Sequence, residues 1–309
     1  MCGICGRVSF DGAPPERALL SRMCDTIAHR GPDDEGIYTA PGVGLGQRRL
    51  SIIDLRPSAT APLSNEDGTV WVVFNGEIYN FQELRARLRE RGHVFRTDGD
   101  TEVLVHLWEE HGTGMLAHLR GMFAFALWDA RRKMLFAARD RLGKKPFVYA
   151  RTPSALVFGS AIRAVTADPS VSVEPDYGAL DAFLTRQYVP SPRTAFAGIH
   201  KLPPAHFLTC TADGELTIER YWSPGPTPET ASSAATREEL EEEIVERLRE
   251  AVRLRLISDV PLGAFLSGGI DSGTVVALMA EESAGPVKTF SIGFEEEGFD
   301  ELPYARMVA

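Results

Sequence analysis

The chain begins MCGICG, and Cys2 is the first residue whose type and place could do chemistry. Chain termini are usually frayed and exposed, where a free thiol is a liability. Loss of Met1, which so small a second residue permits, would put a nucleophile and a base on one residue. An α-amine titrates near ~7.7–8.0, so a useful fraction is neutral at pH 7. It could take the thiol proton, directly or through one water, and leave a thiolate to attack an electrophile. Taken alone, the position favours chance, because any residue can follow methionine. Cys2 and Cys5 also spell C-x-x-C, but a redox pair normally sits between a strand and a helix rather than at residue 2.

The second stretch with chemical content is VPLGAFLSGGIDSGTVVALMA. Val260 to Leu266 reads as an apolar strand, Ser267-Gly268-Gly269-Ile270-Asp271-Ser272 as a glycine-rich turn, and Gly273 to Ala280 as a helix. A strand, a small-residue loop and a helix N-terminus form an anion cradle, because backbone N–H groups and the positive end of the helix dipole converge there. Ser267 and Ser272 add hydroxyl donors, and Asp271 adds a carboxylate that could hold Mg²⁺ against phosphate oxygens. No lysine follows the glycines, so this is not the common GxxxxGK(S/T) loop. A turn tightened by glycines is the plain structural reading. The SGGxDS pattern resembles instead the PP-loop ATP pyrophosphatases, which split ATP into AMP and pyrophosphate. The strand Val287 to Phe294 would then lie parallel beside the first, in a doubly wound arrangement.

These segments need domains to hold them, and 309 residues suffice for two. The net charge of −10 and the lack of a basic stripe argue against nucleic acid as a partner. The apolar run from Gly121 to Trp128 is far too short to cross a membrane. No charged and apolar leader pattern opens the chain, so a cytoplasmic location is expected. The four cysteines fit no zinc pattern, and Cys5 and Cys24 read as core thiols.

From Cys2 to about Ala161 the pattern is mostly β. Strands are expected at Gly6 to Phe10, Val43 to Leu50, Val70 to Asn75, Ala124 to Asp129, Met134 to Arg139, Phe147 to Ala150 and Leu156 to Ser160. Helices are expected at Arg17 to Ile27, Phe81 to Gly92 and Thr101 to His111, the last with Asp100 as its N-cap. Many strands with few helices imply a layered α+β fold, with sheets facing each other and helices outside. Asp176 to Gln187 reads as a helix, and a hairpin is centred on Ala212-Asp213-Gly214. Ser223 to Thr236 has linker composition. Thr236 to Ile257 follows as a charged helix with Leu240, Ile244, Leu248 and Val252 on one face.

An N-terminal cysteine and an SGGIDS loop in one chain, joined in order by HRGPDDEG, RRLSIIDL, NGEIYNFQELR, TDGDTEVL, LRGMFAFALWD and RDRLGKKPF, resemble the glutamine-dependent asparagine synthetases. The resemblance implies a class II glutamine amidotransferase domain at 2–222, with the four-layer αββα fold of N-terminal nucleophile enzymes. A linker at 223–236 and the beginning of a PP-loop synthetase domain at 237–309 would follow. It implies that Cys2 attacks the side-chain amide of glutamine. The Asn75 side-chain N–H and the Gly76 backbone N–H would form the oxyanion hole, worth roughly 2.7–4 kcal/mol per donor. Arg49 would grip the substrate α-carboxylate bidentately, Asp100 and Glu77 would meet its α-ammonium, and the backbone near Ile52 would close the pocket. Leu266, Ser267, Gly268, Gly269, Asp271, Ser272 and Ile292 would bind ATP, with Asp271 on Mg²⁺ through pyrophosphate. Aspartate would be activated as β-aspartyl-AMP and attacked by ammonia, giving asparagine and AMP.

Taken singly, Arg49 reads as a surface arginine, Asp100 as an N-cap and NGE as a turn. A relative with the same two domains could amidate another carboxylate, since the acceptor pocket of the family lies beyond residue 309. A non-catalytic module with a decayed synthetase half is opposed by the intact Cys2, Arg49, Asn75, Gly76, Asp100 and SGGIDS set. About seventy residues follow the linker, fewer than half of a typical 150-residue domain. The second domain is therefore expected to be incomplete in this sequence, and a homodimer is expected from the resemblance.

Overall fold

The computed structural model describes residues 2–225, 236–296 and 298–309. Two compact units divide between Pro224 and Gly225. Most of the segment read as a linker, residues 226–235, lies outside the described residues.

In chain order the first unit contains β1 (Gly3–Ser9), α1 (Arg17–Asp25), β2 (Asp34–Ala40), β3 (Val43–Arg49), β4 (Leu63–Ser64), β5 (Val70–Ile78), α2 (Phe81–Glu90) and α3 (Val103–His111). There follow β6 (Gly121–Asp129), β7 (Met134–Arg139), β8 (Val148–Arg151), β9 (Ala155–Gly159), α4 (Ile162–Thr166), α5 (Tyr177–Arg186), β10 (His200–Lys201), β11 (His206–Thr211) and β12 (Leu216–Arg220). The strands form two six-stranded antiparallel sheets, ordered β10-β8-β9-β1-β3-β2 and β12-β11-β7-β6-β5-β4.

Side chains alternate across a strand with a period of two, and that period builds the layers. Ile4, Leu45 and Phe158 of the first sheet meet Val73, Ala126 and Leu208 of the second in the central core. The residues one step out of phase face the other way. Cys5, Ala150 and Val157 pack against Leu20 and Met23 of α1 and Val165 of α4. On the outer face of the second sheet, Trp108 of α3 stacks on Phe136 at 4.8 Å between ring centres. Its indole N–H donates to the Asp129 carboxylate at 2.9 Å. Helix, sheet, sheet and helix therefore follow in sequence, the αββα sandwich of the α+β class.

The same period separates Cys2 from Cys5. Three residues apart, they face opposite sides of β1, and Cys5 lies 3.6 Å from Cys24 inside the helix-facing core. The C-x-x-C spelling is thus not a pair, and all four cysteines are free thiols.

Two expected assignments in the first unit are corrected, and in the second unit the strands expected at Val260 to Leu266 and Val287 to Phe294 shorten to Gly263–Phe265 and Lys288–Phe290. The third helix starts at Val103 with Glu102 in the N-cap position, not at Thr101 with Asp100. Asp100 instead accepts the Ile78 N–H at 2.9 Å, a tertiary bond that local pattern cannot reveal. The end of HRGPDDEG, read as loop, becomes β2, because Asp34 to Ala40 finds an edge partner in β3.

The second unit contains α6 (Arg237–Arg253), β13 (Gly263–Phe265), α7 (Ile270–Glu282), β14 (Lys288–Phe290) and α8 (Leu302–Val308). Thr236 and Glu239 close a reciprocal capping box that starts α6. Strands β13 and β14 run parallel, with Gly263 opposite Lys288. Val252, Leu278 and Met279 form a small core. Of the apolar face expected on α6, only Val252 is buried, while Leu240, Ile244 and Leu248 are exposed within the unit.

Candidate active site

Alternation along the strands decides which side chains reach one end of the sandwich. Cys2 is in phase with Ile4, Arg49 with Leu45, and Asn75 with Val73, so all three lie on the faces that the two sheets turn toward each other. The pairing of Gly3 with Arg48 puts the start of β1 beside the end of β3. The Gln47 side-chain oxygen accepts the Phe74 N–H at 2.7 Å and ties β3 to β5 of the opposite sheet. At that end a cavity of about 320 Å³ opens. The structure brings Cys2, Arg49, Ile52, Asn75, Gly76, Glu77 and Asp100 together on its wall.

The Cys2 sulfur receives the Leu50 N–H at 3.4 Å. Burial pushes its thiol above the usual cysteine value, and the Leu50 contact pulls partly back. A thiol so raised needs a base at hand to react at neutral pH. Asn75 is fully buried, yet neither its amide nitrogen nor its amide oxygen has a hydrogen-bond partner in the structure. A buried amide left unpaired costs about 1–3 kcal/mol, so such groups are rare unless a ligand satisfies them. Gly76 follows in β5, and a Cβ there would lie 2.2 Å from the Met122 carbonyl oxygen and 2.8 Å from Phe123 Cα. Only glycine lets β6 pass that close.

Arg49 is buried at the cavity wall. Its guanidinium donates to the Ile53 and Arg56 carbonyls at 3.2 and 3.1 Å, and to the Asp54 carbonyl. It thereby holds the loop that carries Ile52 while keeping a fixed cation at the wall. The reading of Arg49 as a surface arginine is excluded. Asp100 is pushed up to about 7, chiefly by burial, with the nearby Glu77 charge acting in the same direction. A buried arginine and two acidic side chains put both signs of charge on the cavity wall. A zwitterion carrying an amide fits that distribution of charge.

Two residues given no role by the sequence pattern also reach this region. Lys145, in GKKPF, is buried in the cavity wall, where desolvation lowers its pKa against the pull of Glu77 and Cys2. Arg30, in HRGPDDEG, donates from Nε to the Cys2 carbonyl oxygen at 3.1 Å and fixes the backbone of the first residues. Neither residue's local sequence shows that it reaches this region.

In the second unit the SGGIDS segment forms a strand–loop–helix turn. Gly269 is the N-cap of α7, and Gly268 has φ +82°, which favours glycine. The Ser267 and Ser272 hydroxyls lie 3.0 Å apart at the helix start, and Asp271 stands in the first turn. Leu266 is buried and its carbonyl accepts the Ser291 hydroxyl at 2.6 Å, so Leu266 and Ile292 sit at neighbouring strand ends. Ile292 itself is exposed.

The layers and the cavity define the class: an N-terminal nucleophile glutamine amidotransferase fold. The glutamine phosphoribosylpyrophosphate amidotransferase of B. subtilis, solved with ADP and GMP, shares it with a TM-score of 0.53 at 16% identity, over 96% of this chain and 67% of that one. Residues 1–222 match the glutamine amidotransferase domain family, and residues 243–309 match the asparagine synthase family. The chain belongs to the glutamine amidotransferase family, with a class II amidotransferase domain followed by asparagine synthase sequence.

Similar proteins include asparagine synthetase (glutamine-hydrolyzing) 1 of Bacillus subtilis, 38% identical over all of this chain and 48% of that protein. Asparagine synthetase (glutamine-hydrolyzing) 3 of the same organism is 40% identical over 96% of this chain and 48% of its own length. Amidase chry2 of Gibberella zeae is 34% identical over all of this chain and 49% of its own length. The chain spans about half the length of the curated relatives it matches. Among the described residues, no helix is long and apolar enough to cross a membrane.

Proposed function

We propose that the first unit hydrolyses glutamine at Cys2 and that the ammonia serves an ATP-dependent amidation, with aspartate as the acceptor. The observation that carries the reading is the buried, unpartnered Asn75 amide on the same cavity wall as the Cys2 sulfur. Once Met1 is removed, the Cys2 α-amine takes the thiol proton, and the thiolate attacks the substrate amide carbon. The oxyanion accepts hydrogen bonds from Asn75 Nδ2 and the Gly76 N–H. Collapse expels ammonia, with the α-ammonium returning its proton to the leaving nitrogen, and leaves a thioester. Water, activated by the same amine, releases glutamate and restores the thiol. Arg49 binds the substrate α-carboxylate, and Asp100 and Glu77 bind its α-ammonium, with Ile52 at the wall.

We place the amidotransferase domain at 2–222, the linker at 223–236 and synthetase sequence from 237. Ser267, Gly268, Gly269, Asp271 and Ser272 would receive the ATP phosphates, and Leu266 and Ile292 the nucleoside. The hydroxyls of Ser267 and Ser272 with the Asp271 carboxylate are hard oxygen donors that fit Mg²⁺, which would neutralise pyrophosphate charge there. A second reading, amidation of a different carboxylate, is favoured by similarity to proteins named amidases. The test of the ammonia-forming step is glutamate release by the wild type and by Cys2→Ala, with intact mass to establish loss of Met1. Release should vanish in the variant while its thermal unfolding is unchanged. Undiminished release would refute the assignment.

A further inference from the structure

On the outer face of the first unit, away from Cys2 in the chain, four side chains with metal-ligating atoms converge. They are Glu66 from the turn before β5, His93 from the loop after α2, and His106 and Glu109 one turn apart on α3. One donor atom from each lies within 4.8 Å of all the others. His106 Nδ1 stands 3.2 Å from Glu109 Oε2 and 3.5 Å from Glu66 Oε2. His93 Nδ1 stands 3.6 Å from Glu66 Oε1 and 3.7 Å from Glu109 Oε2. Four donors at about 2.0–2.1 Å from a tetrahedral zinc are about 3.3 Å from one another; the His106–Glu109 pair has that spacing, and the wider set would contract around an ion.

Neighbouring groups hold these side chains in place. Val94 N–H donates to Glu66 Oε1 at 2.8 Å. Asn65 Nδ2 donates to Glu109 Oε1 at 2.8 Å. His93 Nε2 pairs with Glu110 Oε1 at 3.1 Å. His106 is fully buried, and its Nε2 lacks a hydrogen bond but faces the buried Glu102 carboxylate at 4.0 Å. A ring nitrogen backed by a carboxylate is the usual outer support of a metal-bound histidine.

We propose that Glu66, His93, His106 and Glu109 form a site for a divalent transition metal of the zinc class. Two imidazoles and two carboxylates suit zinc, and two imidazole ligands disfavour calcium or magnesium. No side chain of the glutamine cavity takes part, and the ion's role is structural. It would join the 64–68 turn, the 93–97 loop and α3 at one point, adding to the hydrogen bonds that already run among them. Glu102, which also accepts the Thr97 N–H and hydroxyl at 2.7 and 2.6 Å, links the site to the loop that carries Asp100.

The test uses the full chain carrying Cys2→Ala, so that the cavity thiol cannot bind the probe. After chelator treatment the protein is titrated with Zn²⁺ by calorimetry and with Co²⁺ by visible absorption. One equivalent of Zn²⁺ should bind, Co²⁺ should give the intense bands of a tetrahedral site, and the melting temperature should rise with Zn²⁺. His93→Ala with Glu66→Gln, the two ligands outside α3, should abolish binding while the protein still unfolds cooperatively. Glu110→Gln should weaken it about 10-fold through the lost support of His93. Absence of stoichiometric binding, or binding unchanged in the double variant, would overturn the site.

Discussion

Replacing Asn75 by alanine separates catalysis from stability at one residue. In the folded protein this amide is fully buried and makes no hydrogen bond. Its desolvation therefore stands uncompensated until a ligand arrives, at about 1–3 kcal/mol. Alanine removes that cost. It also removes packing atoms, but the space left merges with a cavity of about 320 Å³ that already exists, so little new void is created. The free protein should thus be as stable as the wild type or more stable by about 1–2 kcal/mol. Catalysis should move the other way. Loss of one oxyanion donor costs about 2.7–4 kcal/mol in the transition state, a fall of about 10²–10³ in kcat. KM for glutamine should change little, because the donor engages charge that develops only during reaction. Glutamate release under saturating glutamine and urea unfolding of the free protein measure the two effects. A destabilised variant, or one retaining more than about a tenth of wild-type kcat, would show that Asn75 is a structural residue and not an oxyanion donor.

Asp100 is held near pKa about 7 against about 3.9 in an unfolded chain. The native state binds the extra proton between those values, so stability of the free protein should be highest below about pH 4 on this account and decline as pH rises to about 7. Asp100→Asn should flatten that decline in thermal melts taken across pH. If a substrate ammonium pairs with the ionised carboxylate as proposed, KM for glutamine should fall as pH rises through about 7; a KM independent of pH in that interval would sink the pairing. Gly76→Ala should destabilise the first unit by about 1–3 kcal/mol, since the new methyl meets the Met122 carbonyl at 2.2 Å. Chemical denaturation reads that loss, and a neutral result would mean that β6 can retreat.

The sequence alone carried the local pattern. Compact apolar runs such as WVVF and MLFAAR marked strands to within a few residues, and β7 runs from Met134 to Arg139 as the pattern expected. The SGGIDS loop was legible because its parts are contiguous: strand, turn and helix start lie within one short segment. Cys2, Arg49, Asn75, Gly76 and Asp100 were named through the order of motifs along the chain, not through any local property that shows them meeting.

Tertiary structure decided what depends on two distant segments at once. Asp100 has the look of an N-cap, and the Ile78 N–H across the fold gives its carboxylate a partner that local pattern does not show. Lys145 and Arg30 reach the Cys2 region because β1 pairs with β3 and β9 and so gathers their loops at one end. Glu66, His93, His106 and Glu109 show no metal spacing in the sequence, since three separate segments supply them. Periodicity tells which face of its own strand or helix a residue occupies. What that face meets depends on sheet order and register, and these are set by packing between segments far apart in the chain.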